Sequence, residues 1–356
     1  MDNQENNSTI APDRRAFLRT GALAAATTAF GMGASRAFAD DDARHGGSLP
    51  AGDVAILRFL AAAEIIESDL WQQYNELAGL NGGSAPYISA LAVLDADMQR
   101  YVTDNTRDEI SHENFLNAYL TMHGAMPVNL NGYRNLPSSK ATGARQVGRI
   151  TNLMDLTIDT SFWTRYRSPT NPDFGAEFPQ VVNISGRTAI PRDNAELADL
   201  NHVQAIANTA GFHFAFIEQG GSSLYAAMTE KVTSLQVLRI VVSIGGTEIQ
   251  HFQTWQDKAA NVPPLTDAGL VFPDFSKPPF NTGIFEGNKI MPVPCEFISP
   301  DLPRCSIIRP TDPNGIAAGA VRALTEDGLF IGQSSGFFAY LGELAEAADA
   351  ARRGRG

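Results

Sequence analysis

Two Glu-x-x-His quartets, Glu109-Ile110-Ser111-His112 and Glu248-Ile249-Gln250-His251, constrain what this chain can fold into more than any other feature. Residues three apart share one face of a helix, so each quartet can aim a carboxylate and an imidazole at one point. That donor set suits a divalent first-row metal. With 6 His in 356 residues, composition predicts only about 0.3 such quartets, so two in matching apolar helical contexts exceed the ordinary false-positive rate of a short motif.

Apolar periodicity predicts four helices, over 53–77, 87–123, 194–228 and 234–258. In the first, Leu60, Ala63, Glu64, Glu67, Leu70, Trp71, Tyr74 and Leu77 recur at three- and four-residue steps, so two acids sit within an apolar stripe. The second is expected to stop at Gly124, with Pro127 beyond. Between the second and third, residues 129–192 are punctuated by Pro137, Pro169, Pro172, Pro179 and Pro191 and read as a long ordered crossover. Four helices with one long connection predict an all-α, one-crossover bundle over 53–260. Residues 261–310 hold 10 of the 20 prolines and are expected to wrap irregularly over it, since proline suits neither helix interior nor central strand. A last amphipathic segment, 315–350, interrupted near Gly328, completes a C-terminal extension over 261–356.

In such a bundle the two quartets lie on the second and fourth helices, and a two-metal site takes one more carboxylate from each of the others. The third helix has one central acid, Glu218, with Tyr225 two turns downstream. The same spacing relates Glu64 to Trp71 and Glu67 to Tyr74; Leu70-Trp71 matches Leu224-Tyr225 better than Gln73-Tyr74 does, which favours Glu64 over Glu67 as the ligand. Trp71, Tyr74 and Tyr225 read as core aromatics, and His213 as a packed histidine near the site. Gly220-Gly221 and Gly245-Gly246, inside the third and fourth helices, signal either a helix break or a small-residue gap admitting oxidant.

With Glu64, Glu109, His112, Glu218, Glu248 and His251 in this helix order, the chain resembles the ferritin-like superfamily over about 53–258, particularly its exported, desiccation-related members. The acid-rich run Glu64-Ile65-Ile66-Glu67-Ser68-Asp69-Leu70-Trp71 is similar to the first helix of that family. The resemblance implies a carboxylate-bridged pair of iron or manganese ions, with Glu109 and Glu248 bridging, Glu64 and Glu218 terminal, and one imidazole on each metal. It also implies open coordination positions for oxygen, peroxide or water. Four carboxylates and two imidazoles around two divalent cations are close to neutral, and mixed oxygen and nitrogen donors suit iron or manganese. An oxidoreductase acting on oxygen, peroxide or ferrous iron is the expected function. The competing expectation is a non-catalytic stress or surface protein using its C-terminal region for binding.

Residues 1–39 are set apart by Asp13-Arg14-Arg15-Ala16-Phe17-Leu18-Arg19, which looks like a twin-arginine export motif. A weakly apolar stretch follows, and Ala37-Phe38-Ala39 offers a cleavage site, so a mature chain is expected to begin at Asp40 in the periplasm or outside the cell. Export by the twin-arginine machinery leaves no membrane span after cleavage. Removing four Arg and three acids from the 27 basic and 39 acidic residues leaves 23 and 36, a net charge of −13. That balance, without a basic face, excludes nucleic acid as a natural partner; a small homo-oligomer remains open. Cys295 and Cys305, the chain's 2 cysteines, read first as a disulfide in an oxidising compartment and second as metal ligands.

Overall fold

The computed structural model describes residues 48–165, 179–280, 294–295, 301, 305–306 and 314–354. The expected export signal lies outside these residues, as does much of the proline-rich stretch. The described chain is mainly helical, as expected of the all-α class. Its long helices are α1 (Ala51–Ala78), α3 (Met98–Met122), α4 (Leu200–Thr229) and α5 (Leu235–Ala259), with a short α2 (Ala85–Leu91) before α3. α1 packs along α3, and α4 along α5.

Each helix follows from its sequence. α4 is buried over most of its surface, from Val203 to Met228, as a helix apolar all round must be. α5 buries a narrower stripe, Val237, Val241, Ile244, Glu248, His251, Phe252 and Trp255, at three- and four-residue steps. Asp199 starts α4 by accepting the backbone N–H groups of Asn201 and His202, and Ser234 starts α5 by accepting those of Gln236 and Val237.

The expected second helix, 87–123, is two helices separated at 92–97. There Asp95 Oδ1 accepts the Asp97 N–H at 2.8 Å while its other oxygen meets Lys258 Nζ at 2.7 Å. An aspartate that bonds its own local backbone competes with the helix ladder, and the tertiary ion pair holds it to that choice. Similarly α4 begins at Leu200 rather than near 194, because Asp193 Oδ1 takes the Ala195 N–H and Glu196 pairs with Arg192, folding 192–198 into turns. α4 and α5 run unbroken through both glycine pairs.

The crossover is pinned to α1 by a buried carboxylate. Asp69 accepts the backbone N–H groups of Ile150 and Thr151 at 2.9 Å, the Thr151 hydroxyl at 2.7 Å and Arg134 Nη1 at 2.5 Å. Beyond it, β1 (Leu156–Ile158) pairs antiparallel with β2 (Ile184–Arg187). The expected irregular wrap contains a regular hairpin against α4, β3 (Leu265–Asp267) with β4 (Leu270–Phe272). Its two turn residues, Ala268 and Gly269, both have positive φ, the backbone twist that a two-residue hairpin requires.

β5 (Pro294–Cys295) and β6 (Cys305–Ser306) also pair, with Cys295 and Cys305 as register partners. The cysteine side chains are outside the described residues. The last segment forms α6 (Ile316–Glu326) and α7 (Ser335–Ala350), and the break between them includes Gly328 at φ 90°, where a Cβ would stand 2.7 Å from the Asp155 carbonyl oxygen. α7 packs on α1 and α6 on α4, so Phe337, Leu341 and Leu344 join the same apolar core as Leu57 and Leu60. Among the described residues no helix is long and apolar enough to cross a membrane.

Candidate metal centre

All six expected ligands converge. Ligand atoms of Glu64, Glu109, His112 and Glu248 lie within 4.8 Å of one another, as do those of Glu109, Glu218, Glu248 and His251. The two groups share Glu109 and Glu248, the pair assigned to bridging, and each contains one histidine. Glu64 comes from α1, Glu109 and His112 from α3, Glu218 from α4, and Glu248 and His251 from α5. The site therefore exists only because α1 and α3 pack against α4 and α5. The four carboxylates are at most 1% exposed and the two imidazoles 8%.

Both histidines turn Nδ1 inward. His112 Nδ1 stands 3.1 Å from Glu109, and 3.4 Å from each of Glu64 and Glu248. His251 Nδ1 is 3.1 Å from Glu109 and 3.3 Å from Glu218. The far side of His251 is held by Asp108, whose Oδ2 meets Nε2 at 3.1 Å, which fixes the ring's orientation. Asn105 spans the other side, donating to Glu109 Oε1 at 2.7 Å and Glu218 Oε1 at 2.9 Å while its own oxygen accepts from Trp255 Nε1 at 2.6 Å. The Tyr225 hydroxyl donates to Glu64.

The electrostatics are those of crowded, dry carboxylates. Burial, and then the charge of Glu218, pushes the Glu109 carboxyl up to about 7 against the opposing hydrogen bonds of the histidines. Burial, with the charges of Glu109 and Glu218, pushes Glu248 well above the usual carboxylate range. Burial alone would lower the His112 imidazolium, but the hydrogen bonds and charges of Glu109 and Glu64 outweigh it and hold it at about 10. His251 is shifted upward too: its burial penalty is exceeded by Glu218, Asp108 and Glu109. Without cations the cluster must therefore retain protons.

Fit to a metal pair is tested by the unsatisfied atoms. Glu64 Oε2, Glu218 Oε2, both Glu248 oxygens and His251 Nδ1 are buried and close to one another, yet none makes a well-aligned hydrogen bond among the described residues. Leaving such groups unpaired in a dry interior is costly. They point at one another, and four carboxylates with two neutral imidazoles balance two divalent cations. The residues fit.

Glu64 belongs to the first of the two ligand groups and Glu67 to neither. Glu67 instead lines an apolar cavity of about 40 Å³ between α1, α4, α6 and α7, together with Phe59, Ile217 and Leu324. Burial, then the charge of Glu109, raises its carboxyl well above the usual range. The helices do not break at the glycines, which instead allow close approach: a Cβ at Gly221 would stand 2.4 Å from Glu248 Oε2, and one at Gly245 would stand 2.8 Å from Tyr225 Cβ. Gly221 lets Glu248 approach α4 closely, and with Gly220 it also lines the apolar cavity beside Glu67. His213 is buried but bonds Tyr74, away from the six ligands. Asn105, Asp108 and the contact of Tyr225 with Glu64 were not anticipated. Asn105 had a signal, lying one helical turn before Glu109 on the same face; Asp108 had none, because its meeting with His251 joins α3 to α5. Comparison with protein-family models, curated proteins and solved structures finds no match to this chain.

Proposed function

We propose that this is an exported, ferritin-like four-helix-bundle protein holding two iron or manganese ions, and that it works as an oxidoreductase on oxygen, peroxide or ferrous iron. The observation that carries the reading is the pair of overlapping buried ligand groups sharing Glu109 and Glu248. Glu64 and His112 would hold one ion, Glu218 and His251 the other, with Glu109 and Glu248 between them. When bound, such a pair supplies one-electron redox steps and a Lewis-acidic seat for a small oxygen species. The protein's own residues set the conditions. Asp108 orients His251, Asn105 keeps Glu109 and Glu218 in register, and Tyr225 holds Glu64 by a hydrogen bond that can move a proton at the Glu64 oxygen. The buried Trp71, Phe214 and Trp255 rings pack against one another, and Trp255 is tied to Asn105.

The mature protein, expressed with iron and manganese supplied, should carry about two ions per chain by elemental analysis. His112→Ala, His251→Ala and Glu218→Ala should each lose metal and peroxide- or oxygen-dependent turnover while helical circular dichroism persists. Glu64→Ala should be more damaging than Glu67→Ala. A metal-free parent, with variants as stable as it is, would leave the non-catalytic binding protein as the better account. Intact mass should give a chain starting near Asp40, and lysine in place of both Arg14 and Arg15 should retain the precursor in the cell; unchanged export of that variant would defeat the twin-arginine reading.

A further inference from the structure

A continuous file of redox-active and proton-accepting side chains leaves the metal centre on the Asn105 side. Trp255, whose indole N–H is tied to Asn105, stacks on Trp71 with ring centroids 5.2 Å apart and planes 24° from parallel. Trp71 lies 5.7 Å from Tyr74, and the Tyr74 hydroxyl is 2.8 Å from His213 Nδ1. His213 Nε2 stands 3.3 Å from Asp327 Oδ2. Asp327 in turn forms part of the wall of a cavity of about 310 Å³, also lined by Asp159, Asn183, Phe216 and Glu326.

Packing does not account for this file. Trp71 is fully buried, yet its indole N–H has no hydrogen-bond partner among the described residues. Leaving an N–H unpaired in a dry interior is costly, a cost that phenylalanine would avoid. Tyr74 and His213 are 0% exposed and Asp327 is 2%, so three polar groups have been buried in one line, hydrogen-bonded from Tyr74 to His213, with His213 Nε2 and the Asp327 carboxylate facing each other at 3.3 Å without another partner among the described residues. Such a line has one chemical property that an apolar filler lacks. When a phenol loses an electron it becomes a strong acid, and a histidine at hydrogen-bond distance can take the proton in the same event.

The geometry points to a proton-coupled electron relay, Trp255–Trp71–Tyr74–His213–Asp327, that carries electrons to the metal centre from a small phenolic or hydroquinone-type reductant seated in the outer cavity. The assignment rests on the dimetal reading. After peroxide has drawn electrons from the centre, one electron passes inward from Tyr74 through Trp71 and Trp255, and the phenol proton crosses to His213 Nδ1. The reductant then returns an electron and His213 returns the proton to Tyr74, while the reductant's own hydroxyl proton leaves through Asp327 to solvent. Two such transfers, with two solvent protons consumed at the centre, balance as one hydrogen peroxide and one hydroquinone giving two waters and one quinone. Asp159, Glu326 and Asp327 around the cavity favour neutral or cationic reductants over anionic ones.

The test uses the mature protein loaded with ferrous iron, its metal content measured, then mixed with hydrogen peroxide and frozen for electron paramagnetic resonance. The relay requires a radical whose spectrum changes when tyrosine is ring-deuterated and which is lost in Tyr74→Phe, a variant that keeps its iron. In Trp71→Phe the radical should form roughly tenfold more slowly or worse. Hydroquinone should quench the radical faster than ascorbate does. Asn183→Trp, at the exposed rim of the cavity, should slow that quenching without affecting radical formation. A radical that survives Tyr74→Phe and disappears in Tyr225→Phe overturns the relay, as does an iron-loaded protein with no radical; both leave the dimetal reading standing. A protein that takes up no iron overturns both.

Discussion

Gly221→Ala separates what the fold needs from what the site needs. In an exposed helix interior, alanine stabilises relative to glycine by about 1 kcal/mol. At this position the added Cβ would lie 2.4 Å from Glu248 Oε2 and 3.2 Å from its Cδ. Relief to ordinary van der Waals separation moves the carboxylate by about 1 Å, whereas metal–ligand distances tolerate about 0.2 Å. Overpacking a well-filled interior costs about 1–3 kcal/mol, so the metal-free variant should be near neutral to about 2 kcal/mol less stable. Its metal content should fall much further, because Glu248 belongs to both ligand groups. Gly246→Ala is the control: a Cβ there meets nothing within 4 Å, so only the propensity gain should appear and metal should be retained. Urea denaturation of both metal-free variants gives the stabilities, and elemental analysis gives the ion count. Two ions bound by Gly221→Ala as by the parent would refute the placement of Glu248 between two metals.

Asp69→Ala leaves two backbone N–H groups and Arg134 without their buried acceptor, and should cost about 3–5 kcal/mol in chemical denaturation; a loss below about 1 kcal/mol would mean the crossover is held elsewhere. Metal-free protein should lose stability as pH rises. Glu109, raised from 4.5 to about 7, and His112, raised from 6.5 to about 10, both bind protons more tightly when folded, so the first contribution is full below 4.5 and the second below 6.5, and they fade through about 7 and about 10. Thermal melts across that window should fall for the metal-free chain and stay flatter with metal bound, whose affinity should itself rise with pH as ligand protons are displaced. Thiol titration of denatured, unreduced mature protein should find almost no free Cys295 or Cys305, whose backbones are already register partners; two thiols per chain would exclude the disulfide.

The local rules visible in the chain are periodicity, spacing and capping, and they account for much of the architecture. Three-residue spacing puts Glu109 with His112 and Glu248 with His251 on single helix faces regardless of context. Those are properties of one helix at a time, which is why they could be read without coordinates. The break at 92–97 needed Lys258 from α5 to hold Asp95 in its turn, and the start of α4 was set by how Asp193, Glu196 and Asp199 share local N–H groups. Gly221 gave an ambiguous signal along the chain, since the group occupying its missing side chain comes from another helix. The contacts of Asn105, Asp108 and Tyr225, and the path from Trp255 to Asp327, likewise join residues far apart in sequence. Helical periodicity determined which faces carry the ligands, and tertiary packing alone decided which faces meet, because a carboxylate's neighbours across a helix interface are selected by the fit of both surfaces rather than by either sequence segment.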